Sequence, residues 1–300
     1  MKKIVFSLIA FSFFGVALAQ TEVDQYNGNS IDPIALYEQH YRVRLWMQMD
    51  LTEKQNKGFY AVNGELTKFI LDLIQSGEID VYKNDSLTSK STKEEAAAAL
   101  VRSEEVQYPE WAPGNSYYQG DIIAFKGKNY EAQSDNTGIN PEESPGGEWA
   151  VTQQGKALTF GPRDVVRLVI KEDRIFDKRR SRLYFDIQSI QMYVFDDLQN
   201  LFKPVGIVRY KDLEVKFRQY PAKAVWFNRQ NTAQNKNFAD AFMLRLFHGY
   251  IIKTENPDDL DIITMISSSM GDKFRRIDGV NEVYRQENLL MEKEHNLWEY

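Results

Sequence analysis

The sequence predicts an α+β fold, with a mixed core of helices and short strands and a small three-stranded β insert. Several segments carry apolar residues at helical spacing, and others are short runs of β-branched and aromatic residues bounded by turn residues. A third observation is an island rich in aromatic residues and glycine in the first half of the chain. With 300 residues, of which 43% are hydrophobic and 27% charged, the chain can bury a globular core.

Residues 1–19 have the features of a secretory signal peptide. Lys2 and Lys3 form a basic start, an apolar stretch follows, and Ala17-Leu-Ala19 is a small-x-small cleavage pattern. We expect cleavage between Ala19 and Gln20 and therefore export. The alternative is a retained membrane anchor, for which the apolar stretch is short. Because the chain has no cysteine, we expect neither a lipidated cysteine nor disulfides.

The segment 20–107 is predicted to form an N-terminal helical part of the core, followed by a linker. After a polar leader over 20–30, Asp32-Pro33 is typical of a helix start. The spacing of the apolar residues then predicts a helix over 32–50. The residues of this stripe are Ile34, Tyr37, Tyr41, Leu45 and Met49.

Three shorter elements are predicted in the rest of this part. A helix over 63–75 is followed by Gly77, the residue type that terminates helices. A strand is expected over 79–82. Residues 83–107 are rich in Lys, Ser, Thr and Glu, which predicts a linker with one short helix, capped by Thr92 with Glu95 three positions later.

Residues 108–151 form the aromatic island and predict a small β-rich insert. Aromatic residues separated by turn residues at short intervals indicate three short strands. The insert is acidic, with seven carboxylates and two lysines. Its aromatic residues of interest are Trp111, Tyr117, Tyr118, Tyr130 and Trp149.

Residues 156–300 are predicted to form the C-terminal α+β part of the core. Strands are expected over 165–170 and 183–187, with weaker ones over 190–195 and 206–210. A helix over 237–248 is followed by Gly249 and a strand over 251–253. The closing segment 280–298 has the longest helical pattern of the chain.

The sequence contains no motif of a known catalytic or cofactor site. His40, His248 and His295 are widely separated, and no histidine pair has metal-ligand spacing. We expect no enzyme activity, no cofactor and no metal. His248 is interpreted as a helix-end residue whose positive charge complements the helix dipole. The net charge of −6 disfavours nucleic acid as a partner.

A basic run and the closing helix are the candidate partner contacts. The basic run is interpreted either as a contact for an acidic protein surface or as a solvated turn with local ion pairs. Aromatic residues on the closing helix suit an interface. The candidate residues are Arg174, Lys178, Arg179, Arg180, Arg182, Tyr284 and Trp298.

Several segments together resemble the GldN/PorN family of periplasmic gliding-motility and type IX secretion proteins. They are Arg44-Leu-Trp-Met-Gln-Met-Asp-Leu-Thr-Glu-Lys-Gln-Asn56, the Gly64–Ile79 helix, Ile170-Lys-Glu-Asp-Arg-Ile-Phe-Asp-Lys-Arg-Arg-Ser-Arg182, the helix ending in His248-Gly-Tyr-Ile-Ile-Lys253, and Glu294-His-Asn-Leu-Trp-Glu-Tyr300. Their order spans most of the chain outside the insert.

The insert resembles the small chitin-binding modules of bacterial chitinases. The resemblance lies in Trp111, Tyr118-x-Gly-Asp121, Phe125-x-Gly127-x-x-Tyr130-x-Ala132, Gly138-x-x-Pro141 and Trp149. It implies that both tryptophans and Tyr130 belong to the core of the module. The exposed sugar-stacking aromatics of such modules follow the Tyr-x-Ala strand, where this chain has Gln133-Ser-Asp-Asn136. A structural or protein-contact role is therefore expected ahead of glycan binding.

The family resemblance implies a structural function. It implies a periplasmic subunit that self-associates into a ring with a GldK/PorK-like outer-membrane lipoprotein, contacted by a GldM/PorM-like motor protein. A chain without a lipidated cysteine would reach the outer membrane only through that partner. The alternative hypothesis is a secreted protein that binds chitin or peptidoglycan through the insert.

Overall fold

The computed structural model describes residues 26–103, 108–142, 147–152, 158–196 and 200–298. The predicted signal peptide, including Ala19 and Gln20, lies outside these residues. The described part is an α+β fold, as the sequence predicted.

The structure contains one large sheet, several two-stranded ladders and a small three-stranded sheet. In chain order its strands are β1 (Gln39–Asp50), β2 (Tyr60–Ala61), β3 (Gly64–Glu65), β4 (Val81–Tyr82), β5 (Val101–Ser103), β6 (Ser116–Tyr117), β7 (Ile122–Phe125), β8 (Lys128–Ala132), β9 (Asn136–Thr137), β10 (Trp149–Thr152), β11 (Leu158–Thr159), β12 (Val165–Asp177), β13 (Arg182–Asp196), β14 (Leu201–Arg209), β15 (Val225–Trp226), β16 (Lys236–Asn237) and β17 (Tyr250–Thr254). Its α-helices are α1 (Leu66–Ser76), α2 (Lys93–Ala98), α3 (Tyr210–Gln219), α4 (Phe238–Met243), α5 (Ile262–Met270) and α6 (Arg276–Asn296).

The large sheet has six antiparallel strands in the order β17-β1-β12-β13-β14-β4. Its centre is the long β12–β13 hairpin. β12 is buried along most of its length, including polar side chains, which fits a central strand. The predicted strands over 165–170, 183–187 and 190–195 are parts of these two much longer strands.

Helices cover one face of the sheet in two groups. Leu45, Met47 and Met49 alternate along β1 and therefore point to the same face. Met49 belongs to the main core, to which α1, α3 and α4 contribute. Leu45 and Met47 belong to a second cluster with Leu290 of α6 and residues of α5 and β17. The C-terminal helices thus pack beside the main core on the β1–β17 end of the sheet.

The helix predicted over 32–50 is wrong, because most of this segment forms β1. The chain offers both periods here: residues 34, 37, 41, 45 and 49 fit a helix, while Val43, Leu45, Met47 and Met49 alternate as in a strand. Long-range pairing with β12 and β17 decides in favour of the strand.

The helix predicted over 237–248 is too long, and the interpretation of His248 changes with it. α4 ends at Met243, and Arg245 adopts a left-handed conformation with φ of 51°. His248 therefore lies beyond the helix, where its Nδ1 is 3.2 Å from a carboxylate oxygen of Glu53.

Three local predictions are confirmed. α1 ends at Gly77, which adopts the left-handed φ of 75° that favours glycine. Thr92 and Glu95 form the predicted capping box of α2. The closing helix exists as α6. By contrast, part of the predicted polar leader is packed: the Asn27 amide donates to Gln188 at 2.7 Å, and Ser30 is buried.

The insert is a three-stranded antiparallel sheet, β7–β8–β10, with a core of its own. The strands β5 and β11 pair with each other on either side of it. The two ends of the insert therefore leave the main body side by side.

Candidate interaction surfaces

The basic run lies at the tip of the β12–β13 hairpin. Asp177 pairs with Arg182 at the end of the ladder, and residues 178–181 form the turn. Four of the five predicted contact residues of the run are exposed there, namely Lys178, Arg179, Arg180 and Arg182. Both sequence-based interpretations of the run, a solvated turn and a contact surface, are compatible with this position.

Asp177 organises the turn and neutralises part of its charge. Its buried carboxylate accepts hydrogen bonds from the Arg180 guanidinium at 2.7 Å and from the backbone N–H of Arg179 at 2.8 Å. Burial opposes ionisation, but these hydrogen bonds outweigh it and lower the pKa of Asp177. Arg179 also pairs with Glu38 at 3.0 Å. Lys178 and Arg182 form no salt bridge with any residue that the structure describes.

Arg174 has a different role from the rest of the run, because its side chain is only 13% exposed. Its guanidinium contacts Glu172 at 3.0 Å and Glu294 of α6 at 2.9 Å. Burial lowers the pKa of a guanidinium, but these two carboxylates outweigh it and raise the pKa of Arg174. Arg174 therefore attaches the C-terminal helix to the sheet.

The outer face of α6 carries a stripe of exposed apolar side chains. Tyr284, Met291 and Trp298 are 52%, 61% and 53% exposed, and Ile277 is similarly exposed. Ile277, Tyr284 and Met291 are seven residues apart, which places them on one side of α6. Trp298 follows seven residues later, two residues beyond the end of α6 at Asn296. The inner face, with Leu290, is buried against the sheet. We call the four residues the outer stripe.

The structure brings one end of the outer stripe to the basic turn. The Trp298 ring lies edge-on to the Phe176 ring, with 5.2 Å between ring centroids. Phe176 is the residue before Asp177, at the base of the turn. Tyr284 lies twelve positions before the last residue of α6, Asn296, roughly 18 Å along the helix axis. Two groups of candidate residues that are distant in sequence thus border one another.

The insert aromatics divide into core and surface. Tyr117, Tyr130 and Trp149 are buried, and Trp111 packs partly buried against the same cluster. The Trp149 indole donates to the Ile139 carbonyl at 3.0 Å. Only Tyr118 of the five is exposed, at 65%. The stretch 133–135, where a sugar platform would be expected, is polar and exposed.

Sequence reasoning missed a cleft formed by three separate segments. It lies between the turn that follows β1, the segment before β12 and the β15–β16 hairpin, and has a volume of about 1330 Å³. Lys57, Tyr60, Arg163 and Trp226 are among its lining residues. These residues are spread over more than half of the chain, and no local pattern connects them.

The described residues contain no cluster of histidine and carboxylate side chains that could hold a metal ion. In the same part of the chain, no helix has the length and apolarity needed to cross a membrane.

The comparison with protein families gives one match. A family model described as "Gliding motility associated protein GldN" matches residues 34–299. This range includes β1, the whole large sheet, the insert and α6. The comparison with curated proteins gives no match.

Proposed function

Because the chain belongs to the GldN family of gliding motility associated proteins, we propose that it is a structural subunit of a type IX secretion and gliding machine. In this proposal it acts in the periplasm and forms a ring with a GldK/PorK-like outer-membrane lipoprotein. A GldM/PorM-like motor protein contacts this ring. The subunit transmits force and holds the assembly together, and it breaks no covalent bond.

The observation that supports this function best is the surface formed by the basic turn and the outer stripe. It combines exposed cations, Lys178 and Arg182, with exposed apolar side chains on one rigid helix. Interfaces enrich aromatic residues, methionine and arginine in this way. The helix is attached to the sheet by the Arg174–Glu294 ion pair, so the surface is presented by a rigid element.

Co-purification with the lipoprotein partner tests the proposal. The two proteins are co-expressed with a tag on the lipoprotein, and this chain is expected in the eluate. A Tyr284→Ser/Met291→Ser variant removes the centre of the outer stripe, and we expect at least about a tenfold loss of retention, because buried aromatic anchors dominate interface energies.

A matched control uses Met243→Ser on α4. Met243 is 68% exposed, slightly more than Met291, but lies on another helix. It should leave retention unchanged. Equal retention of both variants would show that the outer stripe is not the contact, and absence of the unmodified chain from the eluate would contradict the ring proposal itself.

Glycan binding through the insert is the second candidate function, and the exposed ring of Tyr118 favours it. Sugars bind by stacking on such flat aromatic faces. Trp111 and Tyr117 belong to the insert core, so their substitution would disturb the fold. A pull-down with chitin and peptidoglycan should therefore compare the full chain with Tyr118→Ala. No retention of the unmodified chain on either polymer would eliminate this candidate.

A further inference from the structure

The cleft between the turn after β1 and the β15–β16 hairpin is cationic and aromatic. Its cations are Lys54, Lys57, Arg163 and Arg229. Tyr60, Trp226 and Phe227 supply its aromatic surface, and Phe227 is 39% exposed. Among the described residues, no carboxylate lines the cleft. This combination suits a ligand that is both aromatic and negatively charged.

Most of this positive charge is uncompensated. Arg163 pairs with the buried Glu65 at 2.7 Å. The other three cations, Lys54, Lys57 and Arg229, form no salt bridge with residues that the structure describes. The nearest carboxylate in sequence, Glu53, is paired with His248 instead. An anion in the cleft would therefore meet three cations that have no carboxylate partner among the described residues, one of which, Lys57, lies over the Tyr60 ring.

The walls of the cleft are held in place without a ligand. The Trp226 indole lies against Gly58, and a β-carbon at that glycine would be 2.3 Å from the indole nitrogen. The Phe227 N–H donates to the Gly58 carbonyl at 3.0 Å. The Tyr60 hydroxyl donates to the Arg163 carbonyl. A preformed site loses little entropy when it binds.

The tip of the insert has the complementary chemistry. Tyr118 projects from it, 65% exposed. The Asp121 carboxylate accepts from the Tyr118 N–H at 2.8 Å, and the Asp135 carboxylate accepts from the Gln119 N–H at 2.9 Å. Two exposed carboxylates thus hold the backbone at Tyr118, whose ring is exposed. We call Tyr118, Asp121 and Asp135 the acidic tip.

We propose that the acidic tip of one copy of this protein docks into the cationic cleft of a second copy. The Tyr118 ring meets the aromatic surface of the cleft, and the two carboxylates meet Lys54 and Lys57. Charge complementarity selects this occupant, because the insert carries seven carboxylates against two lysines on the same chain that carries the cleft.

This contact joins different surfaces of the two copies, so it is head-to-tail and can propagate into a ring or a filament. The docking contact deepens the proposed ring function. It rests on that function in one respect, namely that copies of this chain contact each other. The test uses the isolated protein, so its failure leaves the lipoprotein contact untouched.

Complementation between two variants tests the proposal. The cleft variant is Lys54→Glu/Lys57→Glu, which retains an intact tip, and the tip variant is Tyr118→Ser, which retains an intact cleft. Sedimentation of the mature full chain should show self-association that weakens with added salt. Each variant alone should associate at least about tenfold more weakly. Mixed in equal amounts, the two variants should form a dimer that grows no further, because the cleft and the tip left free at its two ends are both substituted.

Matched controls separate docking from misfolding. Lys68→Glu/Lys223→Glu reverses two exposed lysines outside the cleft, and Val151→Ser replaces another exposed apolar residue of the insert. Both should associate as the unmodified chain does. A monomeric unmodified chain, or a mixture of the two variants that stays monomeric, overturns the proposal. The first outcome would be expected if the tip docked into the cleft of its own chain.

Discussion

At the residue scale, the fully buried carboxylate of Glu172 joins two arginine side chains. Arg174 contacts it at 3.0 Å and Arg245 at 2.7 Å. The Arg245 guanidinium also stacks over the Phe185 ring at 4.3 Å. Arg174 continues to Glu294, so one chain of ion pairs joins the loop after α4, the central strand β12 and the C-terminal helix. The left-handed backbone at Arg245 that ends α4 early serves this contact.

Glu172→Gln should lower the free energy of unfolding by about 3–5 kcal/mol, because it removes the buried counter-charge of Arg245 and one of the two carboxylates that Arg174 contacts. Urea denaturation measures the change. Glu214→Gln is the matched control, since Glu214 forms an ion pair with a half-exposed Arg218 and should cost less than about 1 kcal/mol. Equal effects of the two variants would contradict the role assigned to Glu172.

Asp186 makes stability depend on pH. Burial raises its pKa to about 6 from an ordinary value of 3.8. A carboxyl whose pKa is higher in the folded state favours folding while it is protonated. Its contribution is complete below about pH 4 and is lost as the pH rises through about 6. Asp186 accepts from Gln188, which in turn accepts from Asn27, so the N-terminal segment is linked to this group.

Asp186→Asn should therefore stabilise the protein above pH 6, by up to about 3 kcal/mol, and have little effect below pH 4. Urea denaturation at both pH values measures the difference. Asp72→Asn, at an exposed position on α1, should show no such pH dependence. A gain that is the same at both pH values would contradict the account.

At the element scale, sequence patterns predicted the structure correctly where contacts between residues close in sequence determine the conformation. Gly77 ends α1, and Thr92 with Glu95 caps α2, because these contacts lie within a few residues. The same kind of reasoning failed for β1, where the helical and alternating patterns coexist and pairing with two distant strands decides. It failed again after Met243, where Arg245 adopts a left-handed conformation and its guanidinium contacts Glu172. α3 and α5 were not predicted.

The insert is an element that the main fold should not need. Its ends are joined by the β5–β11 ladder, and its apolar residues form a separate cluster. Replacing residues 104–157 by a short Gly/Ser linker should leave the unfolding of the core unchanged, as measured by urea denaturation. The shortened chain should also lose self-association, if the acidic tip makes the contact between copies. Unfolding of the core on deletion would show that the insert stabilises the main sheet.

At the scale of the whole molecule, the candidate surfaces were only partly predictable. The sequence indicated the basic run and the closing helix, but nothing in it indicated that Trp298 packs on Phe176 and brings them together. The burial of Arg174 also follows from the fold alone. The cationic cleft could not be predicted from the sequence either, because Lys57, Arg163 and Trp226 come together only in the folded chain.

We propose that this GldN family member forms a ring with its lipoprotein partner, and electron microscopy of their complex is the most direct test. The two proteins are co-expressed, purified through a tag on the lipoprotein and imaged without crosslinking. The images should show closed rings that contain both proteins. Particles that contain one copy of each protein and never close into rings would contradict this proposal.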